Sequence, residues 1–131
     1  MAPATIPNDY LDLFEKRTFA HVATLTDEDE PHVTPVWIDY DAERNRVLVN
    51  TERGRRKERN VAENPSVGLS MLDPDDPYRY LSIIGEVTAI TTEGARDHAD
   101  ELAGRYTGTP EYPSEIRTER VILEIRPIEV L

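Results

Sequence analysis

Apolar and β-branched residues alternate with polar ones over most of the chain, a pattern that is typical of half-buried β-strands. Short turns rich in Pro, Asp, Asn and Gly separate the alternating segments. The sequence therefore predicts a protein built mainly from strands. Six strands are predicted in this way, at residues 19–26, 32–41, 46–51, 66–72, 78–90 and 120–130.

Three other segments have the apolar spacing of helices. A short helix is predicted over residues 8–17, with an apolar face and basic residues in its last turn. A second is predicted over residues 54–65, and a third over residues 91–108, which begins at a threonine cap and ends at a glycine. The predicted helices thus lie between groups of strands rather than after every strand.

This order of elements indicates the architecture. The chain has 131 residues and 38% apolar residues, enough for one domain with a modest core, here residues 1–131. The first three strands are joined by short turns and are predicted to form a meander. A small antiparallel barrel with helices at its rim accommodates the order, whereas a doubly wound parallel sheet would need more crossover helices.

Two residues inside predicted strands break the regular pattern. Pro35 cannot donate a backbone hydrogen bond, so its strand is expected at a sheet edge, at a bulge or facing a ligand. Gly85 predicts a bulge or a close approach of two backbone segments.

The overall charge is strongly acidic. Acids outnumber bases by 26 to 15, giving a formal net charge of −11, and Lys16 and Lys57 are the only lysines. Such a surface repels nucleic acids and anionic membranes, so neither is expected as a partner. Acidic excess with few lysines also suggests a halophilic protein, the alternative being an acidic protein of ordinary habitat. Stabilisation by molar KCl in a melting experiment distinguishes the two.

Other chemistry has little support in the sequence. The chain contains no cysteine, and His21, His32 and His98 lack the spacing of metal ligands, so no metal site is expected and the histidines are predicted to be structural or exposed. The first ten residues do not have the pattern of a signal peptide, and no apolar run has the length of a membrane span. We therefore predict a cytoplasmic protein.

The strongest functional signal is a group of cations at the start of the second predicted helix. Positive charge there is unfavourable because the helix dipole is already positive at this end, and each charge can cost about 0.3–1 kcal/mol. A bound phosphate would remove the conflict by meeting free N–H groups and cationic side chains together. Gly54 would let it approach the backbone, and the Thr51 hydroxyl could add a bond. The cations are Arg53, Arg55, Arg56, Lys57 and Arg59.

An alternative interpretation is a solvated helix face. The cations would then pair with Glu52, Glu58 and Glu63, for example as Arg59 with Glu63 at i,i+4 spacing. The imbalance of five bases to one acid in residues 53–59, within so acidic a chain, favours the anion site.

The preceding strand adds a second signal. Val33, Pro35 and Trp37 lie on one face of the predicted strand, and Trp37 offers a large aromatic surface. A planar ring beside this strand and a phosphate at the helix start together indicate a flavin-like cofactor. Trp37 as an ordinary core residue is the alternative.

In combination these segments resemble a known family. The stretch VLVNTERGRRKERNVAENPSVGLSML, residues 47–72, is similar to the cofactor segment of the pyridoxamine 5'-phosphate oxidase-like flavoproteins. TPVWIDYD, NTERGRRKERN and GEVTAITTEGARDHADELAGRY resemble more narrowly the F420-dependent branch of that superfamily, the flavin/deazaflavin oxidoreductases of the B class. The resemblance covers roughly residues 10–130.

The resemblance implies a mainly β (α+β) fold, a six-stranded antiparallel split β-barrel with peripheral helices of the FMN-binding split-barrel type. It implies a homodimer with the cofactor at the subunit interface, and a phosphate held by the basic turn. The missing C-terminal substrate segment of the pyridoxamine oxidases argues against that activity. The cofactor-binding residues it implies are Val33, Thr34, Pro35, Val36, Trp37, Asn50, Thr51, Gly54, Arg55, Arg56, Lys57 and Asn60, with Tyr78 and Tyr80 from the partner subunit.

The function that this implies is hydride transfer from F420H2 to a small unsaturated or conjugated acceptor. FMN remains the alternative cofactor, because both molecules join a tricyclic ring to a ribityl phosphate. A non-catalytic carrier of flavin, F420 or haem is an alternative of a different class. No catalytic side chain is predicted, since hydride transfer depends mainly on the cofactor and on positioning.

Overall fold

The computed structural model describes residues 4–131, which form one curled antiparallel sheet with three helical segments around it. Prediction and structure agree on a mainly β protein. The strands are β1 (Phe19–Leu25), β2 (Pro31–Trp37), β3 (Asp39–Asp41), β4 (Arg46–Glu52), β5 (Ser66–Asp73), β6 (Asp76–Thr91) and β7 (Arg120–Val130), and the α-helices are α1 (Arg56–Glu63) and α2 (Ala95–Thr107).

The sheet has seven strands in the order β2-β1-β5-β6-β7-β4-β3, where six strands were predicted. The predicted strand over residues 32–41 is divided at Ile38 into β2 and β3. These two strands follow each other directly in the chain but occupy opposite ends of the sheet. The sheet must therefore curl until its two edges meet at Ile38.

The predicted meander of the first three strands is accordingly wrong at its second step. β1 pairs with β2 and β3 pairs with β4, as expected for two hairpins, but β2 and β4 are not hydrogen-bonded neighbours. Helix α2 packs where the edges meet: the Tyr106 hydroxyl accepts a hydrogen bond from the Ile38 amide at 3.1 Å, and Arg105 donates to the Ile38 carbonyl at 3.1 Å.

The inward-facing residues of the curled sheet form one hydrophobic core. Alternate residues of β4, β5 and β7 are buried, as the pleat of a sheet requires. The largest fully buried side chains are Leu13, Ile38, Met71, Leu81, Ile83, Leu102, Leu123, Ile125, Val22, Val47, Val49 and Val121.

Both irregular strand residues have the expected structural setting. Pro35 lies on β2, which is an edge strand, where its missing N–H leaves no gap inside the sheet. At Gly85 the register of β6 against β7 shifts, and an added Cβ would lie 2.6 Å from the Ile125 side chain. The close approach predicted at Gly85 is therefore confirmed.

The helices differ in extent from their predictions. The first is a 3-10 helix, Asn8–Phe14, without a side-chain cap, rather than an α-helix over residues 8–17. Helix α2 begins at Ala95 after Gly94, whose backbone is left-handed, so the residues from Thr91 to Gly94 form a strand end and a turn instead of the predicted first helical turn.

Candidate functional site

A surface cavity of about 190 Å³ lies where the ends of β2 and β4, the start of α1 and the loop after α2 come together. We call it the cationic cavity. We call its aromatic and apolar lining residues the aromatic wall and its basic lining residues the basic wall. Its lining residues are Phe19, Pro35, Val36, Trp37, Asn50, Thr51, Arg55, Lys57, Tyr112 and Arg120.

The basic wall starts at the turn between β4 and α1. Gly54 has a φ of +95°, a conformation that glycine adopts without strain and that turns the chain into the helix. The Glu58 carboxylate accepts a hydrogen bond from the Gly54 amide at 2.8 Å, which fixes this turn. The first-turn N–H groups of α1 have no intrahelical acceptor, as at the start of every helix. Arg55 occupies the N-cap position, and its side chain does not cap them.

In the described part of the chain, the cations in the cavity form no ion pair with an acidic residue. Among residues 4–131, no carboxylate oxygen lies within 4.0 Å of a side-chain nitrogen of Arg55, Lys57 or Arg120. Burial, with repulsion from Arg55 and Arg120, lowers the pKa of Lys57. Burial also lowers the pKa of Arg120, although Tyr112 and Glu52 oppose this effect, and Arg55 adds to it slightly. Cations gathered in this way form a site that a bound anion would stabilise.

Among residues 4–131, the predicted alternative, a helix face whose cations pair with nearby acids, fits only Arg53. That side chain contacts Glu119 at 2.7 Å and Glu58 at 4.0 Å. Glu52 instead accepts a hydrogen bond from the Arg117 amide. The expected Arg59–Glu63 pair does not form within 4.0 Å in the described part of the chain.

The aromatic wall is rigidly supported. The Trp37 ring stacks on Tyr106 with centroids 5.1 Å apart and an interplanar angle of 9°, and it meets the Tyr112 ring edge-on at 6.1 Å. Phe19 also packs against Tyr106. The Arg120 guanidinium lies over the Tyr112 ring, 4.4 Å from its centroid. A planar ligand could therefore rest on a fixed aromatic surface beside the cations.

Seven of the predicted cofactor residues line the cationic cavity: Pro35, Val36, Trp37, Asn50, Thr51, Arg55 and Lys57. Gly54 forms the adjoining turn. Two others face a neighbouring cavity of about 360 Å³, namely Arg56 and Asn60, together with Asp27, Arg59 and Glu63. The buried Asn60 amide donates to the Thr24 hydroxyl at 3.0 Å, which ties α1 to β1.

The remaining predicted residues lie outside the cavity of the single chain. Val33 is exposed on β2, while the Thr34 hydroxyl beside it is buried and has no hydrogen-bond partner among the described residues. Tyr78 and Tyr80 project from β6, with 92% and 55% of their surface exposed. The two tyrosines were expected from a partner subunit, and their exposure leaves them available to one.

Three lining residues were missed by the sequence analysis: Phe19, Tyr112 and Arg120. Arg120 reaches the site because β7 pairs with β4, where it lies opposite Glu52. No local pattern reveals this pairing across such a long stretch of chain. Tyr112 lies in a loop whose aromatic residue, between two prolines, was the one available signal.

Other kinds of site find no support in residues 4–131. Among them, no group of three or more His, Cys, Asp or Glu side chains is placed to hold a metal ion. Nor does the described part of the chain contain a helix that is both long and apolar enough to cross a membrane.

Comparison with solved structures places this fold among known proteins. The chain is similar to an F420 reductase, with 32% identity, a TM-score of 0.84, and coverage of 96% of this chain and 98% of that one. It also resembles the conserved hypothetical protein Rv2991 from Mycobacterium tuberculosis, with 20% identity, a TM-score of 0.76, and coverage of 98% and 84%. HupZ from Group A Streptococcus, with 19% identity, a TM-score of 0.64 and coverage of 92% and 90%, shares the fold.

No curated protein matches the chain. The model of the family described as pyridoxamine 5'-phosphate oxidase matches residues 6–131, nearly the whole length. The chain therefore belongs to the pyridoxamine 5'-phosphate oxidase family.

Proposed function

We propose that the protein is an F420-dependent oxidoreductase that transfers a hydride from F420H2 to a small unsaturated or conjugated acceptor. The family and the similarity to an F420 reductase at 32% identity support a flavin- or deazaflavin-type oxidoreductase. The observation that carries the proposal is the cationic cavity, in which Arg55, Lys57 and Arg120 lie beside a supported aromatic wall and have no carboxylate within 4.0 Å among residues 4–131.

The residues of the cavity fit a phosphorylated tricyclic cofactor. Arg55, Lys57 and the free N–H groups at the start of α1 would hold the phosphate, with the Thr51 hydroxyl close by. Pro35 and Trp37 would flank the ring. F420, when bound and reduced, supplies the hydride. The protein contributes binding, orientation and exclusion of water, which is how it would favour transfer to an acceptor held against the open side of the ring.

We also propose that the protein is a homodimer and that the partner completes this site. The cavity of one chain, about 190 Å³, is smaller than the roughly 300–1,000 Å³ typical of small-molecule sites. Twelve residues of one sheet face, on β2, β1, β5 and β6, adjoin the cavity and include no Asp, Glu, Lys or Arg, although 31% of the chain is charged and Glu129 of β7 pairs with Ile84 at their border. We call them the uncharged face. Its residues form three rows, each running across β2, β1, β5 and β6 in that order. The rows are Val33, Ala23, Gly68 and Ile84; Pro35, His21, Ser70 and Ser82; and Trp37, Phe19, Leu72 and Tyr80.

A second copy of the chain is the occupant that this face fits. Its exposed members include Phe19, Val33, Leu72, Tyr80 and Ile84, each more than 40% exposed in the single chain. A self-complementary apolar patch is what a two-fold dimer buries, and an uncharged patch avoids repulsion between two chains of net charge −11. The uncharged face and the lining of the cationic cavity share Phe19, Pro35 and Trp37, so the partner subunit would lie at the rim of the cavity.

Fluorescence provides the binding test, because Trp37 is the only tryptophan and lines the cavity. We expect F420 to quench it at lower concentration than FMN does. F420H2 oxidation, followed by absorbance, should then proceed with members of a panel of quinones and enones. Tight binding of FMN without F420 would overturn the choice of cofactor. Binding of F420 without turnover of any acceptor would favour the alternative function, a carrier protein without catalytic activity.

The dimer is tested by placing one charge on the uncharged face. Ile84→Glu should shift the molecular mass measured by light scattering from dimer to monomer and weaken F420 binding. Thr88→Glu is the matched control, since Thr88 is an exposed residue of the same strand beyond the rows of the uncharged face. Wild-type protein that is monomeric at micromolar concentration would contradict the proposal.

A further inference from the structure

A chain of hydrogen bonds runs from the interior of the protein into the cationic cavity. His98 Nε2 lies 2.9 Å from Asp39 Oδ2, and His98 Nδ1 lies 3.1 Å from Asn50 Nδ2. Asn50 Oδ1 in turn accepts a hydrogen bond from Arg120 Nε at 2.8 Å. The chain joins β3, α2, β4 and β7, and only Asn50 and Arg120 line the cavity.

The partners of Asn50 determine where the histidine proton lies. Asn50 Nδ2 donates to the Ala95 carbonyl at 2.8 Å, and Asn50 Oδ1 receives the Arg120 proton. Because a carbonyl only accepts and a guanidinium only donates, the amide cannot be turned round. Asn50 therefore presents an N–H group to His98, so Nδ1 must be the accepting nitrogen and Nε2 must carry the proton donated to Asp39.

We propose that His98 is a positioning residue that acts through Asn50 to hold Arg120 in the cationic cavity, and that it does so only in its neutral form. The proposal rests on the proposed function for the identity of the ligand that Arg120 meets. His98 itself has 8% of its surface exposed and does not line the cavity, so it acts on the site through Asn50.

Protonation of His98 would disrupt the chain at Asn50. Both ring nitrogens would then donate, and Nδ1–H would face the N–H of Asn50. If the Asn50 amide turned round to accept this proton, it would lose its hydrogen bond to the Ala95 carbonyl. It would also place an N–H group against the N–H of Arg120 Nε. Arg120 would lose the acceptor that fixes its direction, and anion affinity would fall as the pH is lowered.

The charged groups around His98 come from three elements. Asp39 of β3 contacts it directly, Arg105 of α2 donates to the other oxygen of that carboxylate at 3.1 Å, and Arg120 of β7 lies one amide away. Burial of Asp39 disfavours its charge, but the hydrogen bonds from His98 and Arg105 outweigh this and lower its pKa. Asp39 therefore stays ionised between pH 5.5 and 8.5, roughly the range in which histidines titrate.

The first test needs no ligand. In 15N-labelled protein, the Arg120 Nε–H signal, assigned by its loss in Arg120→Lys, should move as the pH is lowered from 8.5 to 5.5. In His98→Gln the same signal should stay constant, because a glutamine amide can donate to Asp39 and accept from Asn50 but cannot be protonated. An Arg120 signal with the same pH dependence in both proteins, or with none in the wild type, would overturn the proposal.

The second test uses F420 affinity, measured by Trp37 fluorescence. The ratio of wild-type to His98→Gln affinity cancels the ionisation of the phosphate and of every protein group that the two proteins share. We expect a ratio near one at pH 8.5 that falls about tenfold by pH 5.5. His98→Leu should bind several-fold more weakly than His98→Gln at pH 8.5, because it removes the acceptor for Asn50.

The outcomes of the two tests separate the two proposals. A flat affinity ratio across this pH range, or equal binding by the leucine and glutamine variants, would refute the positioning role. If His98→Leu does not fold, the glutamine ratio alone decides. Absence of F420 binding by the wild type would refute the proposed function instead, and the Arg120 signal would still test the hydrogen-bonded chain.

Discussion

Two groups of cations in this protein have opposite surroundings. At the turn between β5 and β6, Arg79 contacts Asp12 at 2.8 Å and Asp73 at 2.7 Å, and Lys16 reaches Asp73 and Asp75, both at 3.0 Å. We call these five residues the paired network. In the cationic cavity no acid lies near enough to pair with Arg55, Lys57 or Arg120, as far as residues 4–131 show.

The two lysines of the chain show what the difference means. Hydrogen bonds from Lys16 to Asp75 and Asp73 raise the pKa of Lys16, whereas burial and neighbouring cations lower the pKa of Lys57. A cation whose charged form is favoured by its surroundings stabilises the fold. A cation whose charged form is disfavoured lowers the stability of the ligand-free protein, and a bound ligand must offset this cost. In a chain of net charge −11, where acidic partners are plentiful, cations without an ion pair therefore indicate a ligand site.

The largest effect is expected from removing the cavity cations. Arg55→Ala together with Lys57→Ala should weaken F420 binding by about 100-fold, because each cation contributes a charge-assisted bond to the phosphate. Titration of Trp37 fluorescence measures the loss. Arg56→Ala is the matched control, since Arg56 belongs to the same turn but faces the neighbouring cavity. An Arg56→Ala protein as defective as the double variant would contradict this assignment of the anion site.

The paired network should respond in the opposite way. Arg79→Ala removes one of the two cations that pair with Asp12 and Asp73, and with it a cation that lies 4.8 Å from the Tyr10 ring centroid. We expect the melting temperature to fall by several degrees, measured by circular dichroism, while F420 affinity stays within twofold. A large loss of affinity with an unchanged melting temperature would show that the distinction between the two groups is wrong.

Acid should weaken the paired network through Asp73. Hydrogen bonds from the Asp75 amide, Arg79 and Lys16 lower the pKa of Asp73 to about 2. A carboxylate with a lowered pKa stabilises the fold above its unfolded value, near 3.9, and loses this effect as the pH falls towards 2. The melting temperature of the wild type should therefore exceed that of Asp73→Asn at pH 6, and the difference should shrink between pH 4 and pH 2.

The sequence predicted those features that depend on neighbouring residues. The alternation of β4, the edge position of Pro35 and the glycine turn before α1 are all written in short segments, and each is present in the structure. The basic turn was likewise recognisable because its cations oppose the helix dipole within a few residues. For this reason, the cavity-lining residues between β4 and α1 could be proposed from the sequence, whereas their binding of a phosphate stays a prediction.

Features that depend on distant pairing could not be predicted. Arg120 enters the cavity only because β7 lies beside β4, and the division of one predicted strand at Ile38 follows from closure of the curled sheet. Side-chain direction at the start of α1 was also missed. Arg55 and Arg56 are adjacent and chemically equal, but Arg55 is the extended N-cap residue and Arg56 is the first residue of the helix, and the two line different cavities.

The smallest expected effect gives the sharpest test of the difference between the cationic cavity and the paired network, because the same substitution is made in each of them. Lys57→Met keeps the length of the side chain and removes a charge that opposes the helix dipole, so the ligand-free protein should gain about 0.3 kcal/mol in its free energy of unfolding. Lys16→Met should instead destabilise it, because three carboxylates lose their shared cation. Urea denaturation of the ligand-free proteins measures both changes. Destabilisation by both substitutions would mean that Lys57 also serves the fold, and its missing acidic partner would then no longer indicate a ligand.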